Sequence, residues 1–188
     1  MIDYKQIAAS ISSKVEPAVI QAVAEVESQG DGFLASGEPK ILFEPHIFWR
    51  SLVKRNIDPN TYVKGNEDIL YKNWKQGAYG SISSQPARQR KAMKINIDAA
   101  LEAASYGRFQ ILGENWKSLG YNSIQEMAQD SKTDEGQIKM FVRYIKTNGL
   151  TKYLETKDFK NFALRYNGSS AEKNGYPKKM EDLYNKLH

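Results

Sequence analysis

Apolar positions recur every three or four residues along most of this chain, a pattern that predicts helices nearly throughout. Asp3 is placed to cap a first helix running to about Ser13. Glu16-Pro17 opens a second, because proline suits a helix's first turn and has no N–H to leave unpaired. Val19, Ile20, Val23 and Ala24 form the apolar stripe of that helix, and Gly30 and Gly32 are expected to end it. The Gly-Glu-Pro turn inside "FLASGEPKILF", residues 33–43, predicts a small β-hairpin. A helix from Pro45 to about Asn56 follows. Residues 58–84 lack periodicity and read as a long surface loop ordered by Tyr62, Trp74 and Tyr79. A loop of that length in a compact domain is often functional. Pro86 then opens a central helix reaching Ala103, apolar on more than one side. Short helical patterns lie at 115–119 and 123–130, and a longer one at 133–147, where Asp134 and Glu135 suit the positive helix end. "DFKNFALRYNG" and "YPKKMEDLYNKL" supply two more. The expected fold class is mainly α, in one domain over residues 1–188 with no separate binding module.

Composition narrows the chemistry. The 188 residues are 40% hydrophobic and 26% charged, ordinary for a globular protein and sufficient for a real core. No apolar stretch is long enough to cross a bilayer, so no stable membrane insertion is expected. "MIDYKQIAASISSKVEPAV" lacks the basic start and apolar run of a secretory signal, so synthesis in the cytoplasm is expected. Cysteine is absent and histidine occurs only at His46 and His188. That removes disulfides and a cysteine nucleophile and starves a zinc hydrolase of ligands, so no metal or cofactor is expected. The net charge of +5 is spread over both halves, without a basic tail or stripe. It offers weak attraction to a polyanion, but no basic helix or aromatic–basic motif makes nucleic acid an expected partner. Carboxylates remain the best-supplied catalytic groups.

One stretch, "AVAEVESQGDGF" at 22–33, places two of them at the end of an apolar helix. At about 100° per residue, Glu27 lies roughly 20° from Ile20 and 40° from Val23, continuing the buried stripe. Glu25 lies about 200° away from Glu27 and is expected to face solvent. Burial and the negative helix end both favour the protonated form of Glu27, the state a general acid needs. A glutamate that merely ends the helix and bonds local amides is the plainer reading.

Three segments read together add to this. "VES" at 26–28, "SYGRFQI" at 105–111 and "ALRYNGSS" at 163–170 resemble, in this order, the motifs of the goose-type lysozyme and soluble lytic transglycosylase superfamily. With "ILFEPHIFWR" and the closing "NGYPKKM" included, nearly the whole chain resembles the N-acetylmuramidase domain of bacteriophage endolysins. Tyr106 stands where that pattern often has Trp. The resemblance implies a lysozyme-like helical fold cleaving the β-1,4 bond between N-acetylmuramic acid and N-acetylglucosamine. Peptidoglycan glycan strands would be the partner, the protein would be a monomer, and it would act on the cell wall after release from the host cytoplasm. Glu27 would be the general acid, Gln110 would bond substrate or a water, and Tyr166 would hold Glu27 through its hydroxyl. Asn167 would either shape its turn or bind an acetamido group. Ser28, Ser105 and Tyr106, within the matched motifs, would face substrate.

Glycosidases commonly pair an acid with a second carboxylate. Glu44, in "LFEPHIF", is the first candidate, followed by Glu38 and Asp31, although Glu-Pro at a helix start is also ordinary capping chemistry. His46 either orients Glu44, contacts substrate or simply packs. Glu102 either faces the cleft or sits in a surface pair. Phe33, Tyr79, Tyr106 and Tyr121 either stack on sugars or pack in the core. A lytic transglycosylase using a single Glu, a chitinase-like specificity and a non-catalytic wall-binding module are the competing functions.

Overall fold

The computed structural model describes residues 2–75 and 77–187. Among them are ten α-helices and one three-stranded antiparallel sheet. Asp3 starts α1 (Tyr4–Ile11) by accepting the Gln6 N–H at 3.0 Å. Pro17 opens α2 (Pro17–Ser28). Gln29 rather than a glycine takes the left-handed conformation that ends it, with φ 59°, and Gly30 follows at φ 74°. Their N–H groups bond the carbonyls of Glu25 at 2.9 Å and Ala24 at 3.2 Å, which satisfies the last turn.

Residues 33–39 close as a tight hairpin turn in which Phe33 bridges Pro39 and the Leu34 N–H bonds the Glu38 carbonyl. The chain continues into β1 (Ile41–Phe43), which pairs with β2 (Ala104–Tyr106), itself paired with β3 (Ile111–Leu112). The register sets Leu42 opposite Ser105 and Ser105 opposite Leu112. Side chains alternate across a sheet, so these three share one face while Ile41 and Tyr106 share the other.

Helix α3 (Pro45–Lys54) follows β1. The loop at 58–84 contains two single 3₁₀ turns and is anchored by the buried side chains of Ile69 and Leu70. Tyr62 and Trp74, expected to order it, are exposed instead. Polar groups at the start of α4 (Gln85–Met93) hold the far side of the loop. Gln85 accepts the Phe43 N–H at 3.2 Å and donates to the carbonyls of Ser81 and Tyr79. The Arg88 guanidinium donates to the carbonyls of Tyr79, Ala78 and Asp68.

The single helix expected from Pro86 to Ala103 is two. It breaks before Asn96, whose side chain accepts the Ala99 N–H at 2.9 Å and caps α5 (Ile97–Glu102). That local polar alternative outweighs the continuous apolar pattern. Beyond the sheet run α6 (Ile124–Asp130), α7 (Asp134–Thr147), α8 (Thr151–Glu155), α9 (Phe159–Asn167) and α10 (Tyr176–Leu187). Thr133 caps α7 through the Gly136 N–H, and the short α8 was not anticipated by periodicity.

Two apolar clusters result. The larger joins α1, α2, α7, α9 and α10 around Val23, Phe109, Phe141 and Phe162. The smaller joins α3, α4, α5 and the 58–84 loop around Phe43, Phe48, Leu52 and Ile69. Strand β1 bridges them, giving Ile41 to one and Phe43 to the other. No helix among the described residues is long and apolar enough to cross a membrane.

Candidate active site

A groove of about 350 Å³ opens where the two clusters meet. Its floor is the polar-facing side of the sheet, Leu42, Ser105 and Leu112. One wall carries Glu27 from the end of α2, Tyr144 from α7, Tyr166 and Asn167 from α9 and Tyr176 from α10; the other carries Glu44 and Asn115. Of the residues expected at a site, Glu27, Glu44, Ser105, Gln110, Tyr166 and Asn167 converge here.

Glu27 lies inward, as its helical phase requires. Burial raises its carboxyl to about 7, against a smaller opposing effect of the Asn167 hydrogen bond. Asn167 Nδ2 donates to Glu27 Oε1 at 2.7 Å. A donor on Oε1 leaves Oε2 to carry the proton. Asn167 thus neither merely shapes its turn nor stands clear of the acid. Its Oδ1 is buried and has no partner among the described residues. Glu25, expected in solvent, is half-buried, its carboxylate folded against Gly30.

Tyr166 does not hold Glu27. Its hydroxyl donates to the Phe109 carbonyl at 2.6 Å, and its ring stacks on Phe162 with centroids 5.1 Å apart and meets Tyr144 edge-on at 5.2 Å. Tyr166 therefore forms an apolar backing that desolvates Glu27 rather than a hydrogen-bond partner. Burial, followed by the charge of Glu27, holds the Tyr166 phenol far above its ordinary range.

Gln110 sits at φ 48°, in the left-handed region unusual for a side-chain-bearing residue. Its Nε2 donates to the Gly107 carbonyl at 2.9 Å, which leaves Oε1 as its polar atom available to the groove. Gly107, at φ 72°, makes the turn possible; a Cβ there would stand 2.4 Å from Gln137 Cδ. Gln137 is fully occupied, accepting the Arg108 N–H at 2.8 Å and donating to the carbonyls of Gly32 and Ser131.

Glu44 precedes α3 but makes no side-chain cap there. Its Oε2 accepts from the Tyr79 hydroxyl at 3.1 Å. Burial raises its pKa, while the Tyr79 hydrogen bond and Arg50 oppose the shift. His46 Nε2 is 3.7 Å from Glu44, too far for a hydrogen bond. Burial and then the Arg50 charge lower the His46 pKa, so near neutral pH it is an uncharged neighbour of Glu44.

Several of the residues considered for the site lie elsewhere, each for a visible reason. Tyr106 is 4% exposed and faces the core, because β2 gives the groove to Ser105; its hydroxyl donates to the Leu101 carbonyl at 2.8 Å and accepts from Gln89. Ser28 is buried and bonds the Ala24 carbonyl within its own helix. Glu102 neither lines the groove nor sits in a surface pair. It is buried among Ser51, Arg55 and Trp116, and although burial opposes ionisation, hydrogen bonds from those three and the Arg55 charge bring it to about 2. Tyr121 is buried with its hydroxyl on Asp130 at 2.8 Å. Glu38 pairs with Arg90 and Asp31 accepts the Phe33 N–H, both outside the groove. Phe33 is likewise absent from its lining.

Tyr144 and Tyr176 were not anticipated. Tyr144 follows the α7 stripe residue Phe141 by three positions, the one signal that could have pointed to it.

The N-acetylmuramidase family model matches residues 16–188. The crystal structure of Burkholderia AP3 phage endolysin superposes with a TM-score of 0.82 at 34% identity, over 97% of this chain and 69% of that chain. No curated protein sequence matches. The extent of the family match, together with an endolysin relative of the same fold, identifies the chain as a member of the N-acetylmuramidase family.

Proposed function

We propose that this protein is a peptidoglycan hydrolase that cleaves the β-1,4 bond between N-acetylmuramic acid and N-acetylglucosamine, with Glu27 as general acid. The observation that carries the reading is a carboxyl held at about 7 by burial on the wall of an open groove. An acid so tuned is protonated in a useful fraction near neutral pH and still gives up its proton readily. Glu27 Oε2 delivers its proton to the glycosidic oxygen as the bond to the anomeric carbon breaks. Asn167 Nδ2, already on Oε1, then stabilises the carboxylate that remains.

Glu44 is the second carboxylate in this reading, the base that activates water. Burial raises its pKa, and the Tyr79 hydroxyl and Arg50 oppose that rise, supporting the ionised state that a base requires. Gln110 Oε1 and Asn167 Oδ1 are acceptors suited to a sugar hydroxyl and an acetamido N–H; the buried Asn167 oxygen in particular gains a partner when substrate binds. As a member of this family the protein acts on the cell wall, and its expected role is bacterial lysis as an endolysin.

Product analysis on purified peptidoglycan tests this. Wild type should yield reducing N-acetylmuramic ends, and Glu27→Gln should lose at least about a thousandfold in turnover, the order expected for removing a general acid, while its circular dichroism is unchanged. Retained turnover in Glu27→Gln refutes the assignment. Anhydromuramic ends would make the protein a lytic transglycosylase, in which the sugar's own hydroxyl replaces water.

A further inference from the structure

Both walls of the groove continue beyond it. On one side the 58–84 loop brings Tyr79 onto Glu44, and five residues earlier it presents Trp74, whose side chain lies near the Tyr79 hydroxyl. On the other side, residues 168–175 join Asn167 to Tyr176, two groove residues. Trp74 faces Ser170, Lys173 and Asn174 of that segment across a second cavity of about 380 Å³, comparable with the groove itself.

The lining of this cavity is unusual for a loop contact. Trp74 is 57% exposed, the highest of any large apolar side chain among the described residues. The opposite wall is a hydroxyl, an amide and an ammonium, so burial against hydrocarbon does not explain the indole's position. Lys173 has no carboxylate partner among the described residues, whereas its neighbour Glu172 is paired with Lys160 at 3.2 Å. An aromatic face opposite polar groups and a cation matches a pyranose ring, which presents C–H groups on one face and hydroxyls at its rim. Peptidoglycan adds peptide side chains that end in carboxylates.

We propose that Trp74 and the Ser170–Asn174 segment form a distal glycan subsite, in which the indole stacks on a pyranose ring of the strand and Lys173 meets the carboxylates of its peptide side chains. This extends the muramidase reading to a substrate preference, for long and peptide-bearing strands over short or bare ones, and rests on that reading.

The test compares tetrasaccharide with octasaccharide glycan fragments. Trp74→Ala should lower the ratio of kcat/KM for the octasaccharide over the tetrasaccharide by about fivefold to tenfold, the size of one aromatic stacking contact, and Trp74→Phe should recover most of it. In a Glu27→Gln background, calorimetry should show that Lys173→Ala reduces the preference for the peptide-bearing octasaccharide over the peptide-free one. An unchanged length ratio in Trp74→Ala, or an unchanged peptide preference in Lys173→Ala, overturns the subsite and leaves the role of Glu27 standing. A Glu27→Gln variant that still cleaves the tetrasaccharide overturns the catalytic reading beneath it. Because Lys173 lies on the other wall, it serves the test even where a Trp74 variant fails to fold.

Discussion

Glu27 is costly to the fold in its ionised state. Its carboxyl titrates near 7 in the folded protein and 4.5 as a free side chain, so folding favours its protonated form. Below pH 4.5 both states are protonated and Glu27 imposes no penalty. As pH rises from 4.5 to about 7 the unfolded chain gains from ionisation what the folded chain is denied, and above 7, where both states ionise, the penalty stays constant. Glu27→Gln should therefore raise stability at pH 8 by about 3 kcal/mol and change it little at pH 4, as denaturant unfolding at the two pH values would show. The activity of wild type should fall above pH 7 for the same reason. Glu102 is the converse case, a carboxylate brought to about 2 by Arg55, Ser51 and Trp116. Its stabilising contribution is present above its unfolded pKa and is lost as pH falls toward 2. Two carboxyls at helix ends share a residue type and differ only in what surrounds them, which is why the cleft reading of Glu102 could not be separated from a structural one by position alone.

Strand parity decides which of two adjacent residues lines the groove. Ser105 and Tyr106 are neighbours, yet β2 gives one to the groove and the other to the core. The periodicity of three residues is too short to reveal this, and the helical patterns on either side masked the strand altogether. Gly107 follows directly and permits the turn that carries Gln110. Gly107→Ala forces a Cβ against Gln137 at a positive φ and should destabilise the protein by about 1–3 kcal/mol, with a parallel loss of turnover from displacement of Gln110; thermal unfolding and kinetics read the two effects. The 58–84 loop has its own control point. Arg88 ties Tyr79 and its neighbours to α4, and Tyr79 in turn lowers the pKa of Glu44. Arg88→Ala should speed amide exchange across residues 68–81 and move the acidic limb of the pH–rate profile to higher pH, as Glu44 loses that hydrogen bond. An unmoved acidic limb would rule out a positioning role for Arg88.

Across the whole molecule, the helices were legible because proline starts and side-chain caps act locally: Asp3, Pro17, Thr133 and Asp158 all serve where they stand. The acid was legible too, since helical phase alone turns Glu27 inward. Its partners were not. Whether Tyr166 or Asn167 reaches Glu27 depends on how the end of α9 meets the end of α2, and the hydrogen bond comes from Asn167, while Tyr166 bonds the Phe109 carbonyl. Likewise the anchor of the 58–84 loop proved to be Ile69 and Leu70 with Gln85 and Arg88, whereas Tyr62 and Trp74, conspicuous in its sequence, stay at the surface. Tertiary contacts between distant segments carry no local signature.

The bond between Asn167 and Glu27 spans 140 positions of the chain. Joining them closes about three-quarters of the 188-residue chain into a ring, a contact whose loop-closure entropy must be met before it is made. Tyr166 and Asn167 come from α9 and Tyr176 from α10, which packs on α2, so a chain with these helices undocked should leave Glu27 an ordinary, ionised glutamate. On the proposed function, the proton that Glu27 would deliver is thus acquired only when these helices dock. A chain still on the ribosome, or unfolded in transit, would be silent toward the wall, and activity would begin only with the completed fold.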